Sequence, residues 1–366
     1  MPSRNQRISL RQLQLLLILD TFGSGVLLLP RRAAEAAGQD GWLCVLLAVA
    51  AALICGWLVT SLGRLYPGEH FTAYTARIIT KPAAILLSAL LLAKILLSAG
   101  LELRLFGELT RQVLLPRTPF WAVTVTLLLV SAYAAAKGYE TRGRMAEILF
   151  LPLFVPFLII LLLGVRDTDF SNLLPAFTAN PGTISRGTLG LGYAFGGLEF
   201  LLLVHPYINR PKDVRRRSLT AILITGGLML LVTVMAIARF GPAGLVKQTW
   251  PVLELMEFVS VPGAFWERQT ALVFTFWILS SFFIVNAGLF FSALLLTDMN
   301  GKGPHHLYVV LCAAVIFAVS LLPSGLPQVY DLLDLLYRTL GIGFLLAVPL
   351  LLLTIARLRK LGKRYE

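Results

Sequence analysis

Three ionisable residues stand inside otherwise apolar runs: Asp20, Lys94 and Glu199. Each lies near the middle of a stretch long enough to cross a bilayer. A charge at the centre of a membrane helix costs about 2.5–3.5 kcal/mol on insertion scales, so such residues face cavities or pair with one another. Two acids and one base at a common depth predict an ion pair between Lys94 and one carboxylate. The other carboxyl is then open to protonation by desolvation, for proton coupling or as a structural hydrogen-bond donor. A fully satisfied structural network is the plainer alternative. Glu147, near a helix end, reaches interface water and reads as structural.

Glycines interrupt the same depth twice. One cluster is Gly23-Ser24-Gly25-Val26, and the other is Gly190-Leu191-Gly192-Tyr193-Ala194-Phe195-Gly196-Gly197. Glycine lets a helix unwind and frees backbone groups. Hydrocarbon cannot satisfy those groups, so a break persists only where it lines a cavity within the protein. Two breaks at corresponding places in two halves mark a transporter-type binding site. Freed N–H groups at Gly23, Ser24 and Gly25 suit a carboxylate. Freed carbonyls around Tyr193, Ala194, Phe195 and Gly196 suit an ammonium group, with the two rings as an aromatic wall. Together they would receive an α-amino acid. The competing reading is that these glycines only let helices pack closely.

The elements that must position these residues are membrane helices. Hydrophobic residues make up 57% of the chain and charged ones 14%, well under the roughly 25% charged of a soluble domain. Spans of roughly twenty apolar residues fall at about 9–33, 42–63, 83–103, 119–136 and 145–164, then at 187–207, 217–238, 267–297, 305–322 and 336–356. The expected fold is all-α, a single transmembrane domain over 1–366. Its ten helices divide five plus five, into repeats at about 8–165 and 185–357. Helices one and six are the broken ones. An odd number of spans per half inverts the second half, although no strong sequence repeat is visible. Asp20 and the resumption of the apolar run at Val26 argue that the first segment is a retained helix rather than a signal peptide.

The net charge of +13 resides in short loops beside the spans, so it reads as an orientation signal and excludes nucleic-acid binding. Arg4, Arg7, Arg11, Arg64, Arg77, Arg142, Arg144, Arg215-Arg216-Arg217 and the basic tail fall on one side and place both termini in the cytoplasm. Cys44, Cys55 and Cys312 lie in apolar runs as small buried residues. No catalytic constellation, cofactor motif or metal-ligand spacing is present. The Gly190-x-Gly192-x-x-x-Gly196 spacing follows no strand, and His305-His306 has no companion ligands. Glu267 at the start of the long eighth span suits a helix N-terminus, with Arg268 as a local partner. Ahead of it, Trp250 to Glu257 predicts a short amphipathic helix, serving either as a lid over the outer mouth or as an interfacial structural element.

Several of these motifs resemble a known family. Gly23-Ser24-Gly25-Val26 and Tyr193-Ala194-Phe195-Gly196-Gly197-Leu198-Glu199 resemble the broken-helix signatures of the amino acid–polyamine–organocation transporter superfamily. Ile8-Ser9-Leu10-Arg11-Gln12-Leu13, Leu29-Pro30-Arg31, Ala34 through Trp42, and Phe265-Trp266-Glu267-Arg268 leading to Trp277 are similar to one branch, the membrane B subunits of spore nutrient-germinant receptors. The resemblance covers essentially the whole chain; Asp20 and Lys94 match no family pattern. It implies a leucine-transporter-like fold, residence in the inner membrane of a bacterial endospore, and assembly with A-type and C-type receptor subunits. The expected function is binding of an amino-acid-like germinant between helices one and six. A proton-coupled amino-acid permease, and an ion or water pathway opened in the receptor complex, are the alternatives.

Overall fold

The computed structural model describes residues 6–209, 211–257, 269–301 and 303–360. Glu267 and Arg268, with the motif they end, lie outside the described residues. The chain starts with Ser9, whose hydroxyl accepts from the Gln12 N–H at 3.1 Å while Gln12 Oε1 accepts from the Ser9 N–H at 2.9 Å. This reciprocal cap satisfies two donors that a helix start leaves orphaned and opens α1 (Leu10–Thr21). Phe22 and Gly23 leave helical geometry, and α2 (Ser24–Ala37) follows. Gly38, at φ +58°, ends α2 in a left-handed conformation that favours glycine.

Next come α3 (Gly41–Leu65), the short α4 (Phe71–Ile78), α5 (Lys81–Leu109), α6 (Phe120–Ala136), α7 (Tyr139–Leu163) and α8 (Pro181–Gly190). From Gly192 to Leu202 the chain continues as a 3₁₀ helix. Then follow α9 (Val214–Lys247), which turns at Gly241, α10 (Pro251–Glu257), α11 (Gln269–Asn300), α12 (His305–Leu321), α13 (Leu326–Leu336) and α14 (Val348–Leu358). Two π-helical turns, Tyr337–Gly341 and Gly343–Ala347, join α13 to α14.

Six helical stretches among the described residues are long and apolar enough to cross a membrane, and α6 and α12 are shorter apolar helices. With the interrupted pairs α1–α2 and α8–3₁₀, the described residues form ten membrane segments, the first and sixth broken. It is an integral membrane protein. Lipid is as apolar as leucine, so helices associate through close packing rather than burial from water. Small residues supply that closeness: a Cβ on Gly226 would meet the Val49 methyls at 2.6 Å, and one on Gly288 would meet Ala99 at 2.5 Å. These are contacts of α9 with α3 and of α11 with α5.

Each end of the bundle ties the broken segments together. On the face holding Ile8, the Ile8 N–H donates to the Tyr207 carbonyl at 2.8 Å, and the Asn209 N–H donates back to Ile8 at 3.2 Å. On the opposite face, buried Asp40 accepts from the N–H groups of Phe177, Thr178 and Ala179 at 2.6–2.8 Å and from the Thr178 hydroxyl at 3.1 Å. This clamp holds the chain ahead of α8 against the α2–α3 turn, and it captures Phe177 at φ +63°, a strained conformation for a side-chain-bearing residue. Desolvation opposes the charge on Asp40, but these donors outweigh it and hold the carboxyl below its ordinary value.

Candidate ligand site between the broken helices

The first break is an interruption of helical geometry. Phe22 sits at φ −88°, ψ 57° and Gly23 at φ −105°, ψ −148°. No side chain caps α2, whose N-terminus opens beside Gly25. The second differs from expectation. Leu191 keeps helical dihedrals, φ −85° and ψ −7°, and the backbone tightens from α to 3₁₀ instead of unwinding. Carbonyls from Gly192 onward are therefore engaged in i→i+3 bonds, and the expected set of freed carbonyls is not there. The glycines of this segment do packing work: a Cβ on Gly197 would lie 2.5 Å from the Asp20 carbonyl oxygen, and one on Gly192 would lie 1.9 Å from the Tyr337 ring.

Between the two breaks is a cavity of about 100 Å³. Gly23 and Gly25 line one side, Tyr193, Ala194 and Gly196 another, and Lys94, Ser98 and Glu102 of α5 a third. The Tyr193 hydroxyl donates to the Gly25 carbonyl at 3.3 Å, bridging the breaks. A Cβ on Gly196 would meet only Lys94 Nζ, at 3.9 Å, so this glycine keeps the cavity wall low. Ser24 opens α2. Phe195 turns away from the cavity, toward Ala48, Cys55 and Leu345, and the aromatic residues that line the cavity are Tyr193, Phe200 and Tyr337.

Asp20, Lys94 and Glu199 all line the cavity, and the structure resolves their pairing. Lys94 Nζ donates to Glu199 Oε2. Asp20 is not left over: Arg142 Nη2 donates to Asp20 Oδ1 and to the Phe283 carbonyl, the latter at 3.1 Å. The assignment of Arg142 to a surface loop is thus corrected. Gly138, at φ +97°, starts α7 earlier than expected, which places Arg142 within the helix at 2% exposure. Two acids and two bases form two buried pairs, one from each broken helix to a continuous one. Isolated buried charge is costly and paired charge is tolerated, so the network supports both breaks. Gln12 Nε2 donates to Glu147 at 3.0 Å near the Ile8 face, consistent with a structural role.

Sequence reasoning also missed Glu102, which lines the cavity and accepts from the Ser281 hydroxyl at 3.5 Å. The signal was available: Lys94, Ser98 and Glu102 recur every four residues and share one face of α5. A wider vestibule of about 300 Å³ lies toward the Asp40 face, between Arg32, Glu35, Arg186, Tyr330 and Asp334. Tyr193 and Leu333 border both it and the central cavity. The short amphipathic helix is present as α10, but Val252, Leu253 and Met256 pack beside Phe22 and Trp277. It is a buried wall behind the first break and does not line the vestibule.

Residues 7–325 match the family described as "Spore germination protein". The chain belongs to the spore germination protein family. Spore germination protein YndE of Bacillus subtilis (strain 168) is 27% identical over 365 residues, covering 100% of both chains. Spore germination protein GerLB of Bacillus cereus is 26% identical, over 97% of this chain and 96% of the relative. Among solved structures, MhsT in complex with L-phenylalanine superposes with a TM-score of 0.73 over 97% of this chain and 90% of that one, at 11% identity. The likeness is one of fold: a LeuT-type five-plus-five arrangement with broken helices one and six. This spore germination protein carries that fold with two buried ion pairs at its centre.

Proposed function

We propose that this chain is the nutrient-binding membrane subunit of a germinant receptor, holding an amino-acid-like molecule between its broken helices. The observation that carries the reading is the cavity lined by both breaks with a buried cation and carboxylate in its wall. An α-amino acid offers one charge of each sign. Lys94 and the α2 N-terminus are complementary to its carboxylate, and Glu199 with Glu102 to its ammonium group. These side chains replace the backbone carbonyls expected from the sequence. The solved relative in fold carries L-phenylalanine, which supports an amino-acid ligand class here. We place the chain in the spore's inner membrane with both termini cytoplasmic, in a receptor with A-type and C-type subunits, where the basic loops around Arg215-Arg216-Arg217 offer a docking surface for an acidic partner or anionic lipid.

The fold likeness also favours a second reading, a proton-coupled amino-acid permease. Two measurements separate them. Co-purification from germinant-receptor membranes with a larger partner subunit, together with absence of labelled amino-acid uptake by the chain alone in liposomes, supports the receptor. Rapid uptake by the chain alone supports the permease.

A further inference from the structure

Where α3 and α9 meet, at the face holding Ile8, two arginines stand together without an acid. Arg64 lies in the last turn of α3 and Arg215 in the first turn of α9, and Arg64 is the neighbouring charge whose field acts on Arg215. Among the described residues neither belongs to an ion pair. The adjoining loop adds Arg210, Lys212, Arg216 and Arg217 against Asp213 alone. Like charges held close repel, so the arrangement is destabilising until an anion lies between them.

Arg215 is held in one orientation. Its Nη2 donates to Ser61 Oγ at 2.7 Å, and its guanidinium carbon lies 5.2 Å from the centre of the Trp57 ring. Ser61 Oγ in turn donates to the Trp57 carbonyl at 2.6 Å. The Arg215 Nε has no acceptor. An oriented guanidinium suits a phosphate, whose oxygens accept parallel N–H bonds from its planar fork.

The surroundings indicate where the phosphate comes from. Trp57 is 41% exposed near a helix end, the level at which tryptophan sits among lipid headgroups. Deeper in the membrane, Ile54 of α3 is 59% exposed and Leu223 of α9 is 55% exposed. Between these side chains the two helices close up: a Cβ on Gly56 would lie 2.4 Å from Ile222 Cδ1. From Ser61 down to Ile54 is roughly 10 Å of helix, so the basic end continues into an apolar track facing lipid. We propose that Arg64 and Arg215 form a headgroup site for an anionic phospholipid. The phosphate lies between the two guanidinium groups, and an acyl chain passes Trp57 toward Ile54 and Leu223. A soluble phosphate leaves that track uncovered, and a choline headgroup brings a further cation into a basic cluster. The site is independent of what the central cavity holds.

The test is lipid retention by the purified full chain in nanodiscs of phosphatidylcholine carrying a minor share of phosphatidylglycerol, read by native mass spectrometry of the released protein. The wild type keeps phosphatidylglycerol in preference to phosphatidylcholine. Arg64→Gln/Arg215→Gln lowers that preference about thirtyfold, the product of roughly fivefold for each arginine near a charged surface. Arg64→Gln alone lowers it about fivefold and leaves the contacts of Arg215 with Trp57 and Ser61 in place, should the double variant fail to assemble. Arg216→Gln/Arg217→Gln removes the same charge from neighbouring exposed positions and has the smaller effect. An equal loss in both double variants reduces the pair to a diffuse basic surface and overturns the site. Displacement of the lipid by glycerol 3-phosphate overturns it too, by assigning the arginines to a soluble anion. An unchanged lipid preference in Arg64→Gln/Arg215→Gln is equally contrary, and loss of co-purification with a partner subunit in that variant would then assign the pair to an acidic protein surface.

Discussion

The two broken helices solve one problem by different means. In the first, Phe22 and Gly23 leave helical geometry and expose the start of α2 to the cavity. In the second, Leu191 stays helical and the segment narrows to 3₁₀, with Gly192 and Gly197 spent on contacts to Tyr337 and to the Asp20 carbonyl. The same residue type therefore marks an opening in one place and a close approach in the other. The ion pairs follow the same division: Glu199 on the second segment reaches Lys94 in α5, and Asp20 on the first reaches Arg142 in α7. Backbone groups are available at the first break; side-chain charge stands in for them at the second.

The largest expected effects come from separating the two pairs. Removing one member leaves a buried charge alone, at a cost of about 3–5 kcal/mol. Lys94→Met and Arg142→Met should each lower the melting temperature sharply. Glu199→Gln should partly rescue Lys94→Met and do nothing for Arg142→Met, and Asp20→Asn should show the reverse. Thermal unfolding of the four double variants reads this directly, and crossed rescue would mean that the pairs are one network.

The glycines sharpen the contrast at smaller scale. Gly197→Ala places a Cβ 2.5 Å from backbone oxygen, which neither segment can relieve cheaply, so a loss of about 1–3 kcal/mol is expected. Gly25→Ala places a Cβ at ordinary contact, 3.4 Å from Ala194 Cα and 3.5 Å from the Tyr193 ring, and should leave the melting temperature nearly unchanged. Equal losses in both variants would remove the distinction between an opening and a packing glycine.

Much of this arrangement was legible in the sequence, and the failures have physical causes. Ten apolar spans and two glycine clusters follow from composition and periodicity. The conformation at Gly190 to Gly197 does not, because glycine permits both unwinding and close approach and the partner, here Tyr337 or Asp20, is distant in sequence. Arg142 was misplaced because positive residues near span ends normally face water, and only the helix start at Gly138 turns this one inward. The motifs that carried the family resemblance serve largely to build the scaffold: Ser9 and Gln12 cap α1, and Asp40 clamps the chain ahead of α8.

That clamp gives the smallest expected effect. Asp40 titrates below the ordinary carboxylate value of about 4 in the folded protein. Its contribution is therefore complete above that value and is lost as pH falls through the depressed folded value. Asp40→Asn should cost about 1–2 kcal/mol at neutral pH and flatten the dependence of melting temperature on pH below 4. An unchanged acid profile would mean that the Phe177–Ala179 segment is held by packing.

The most direct measurement is saturation binding of labelled glycine and L-alanine to the purified chain, compared with Gly25→Leu. Leucine at this position projects from the first break into the central cavity, beside Tyr193 and Ala194. The expected result is a single saturable site in the wild type and at least a tenfold loss of affinity in Gly25→Leu, with the protein still inserted and monodisperse. Equal binding by both proteins would contradict a ligand site between the broken helices.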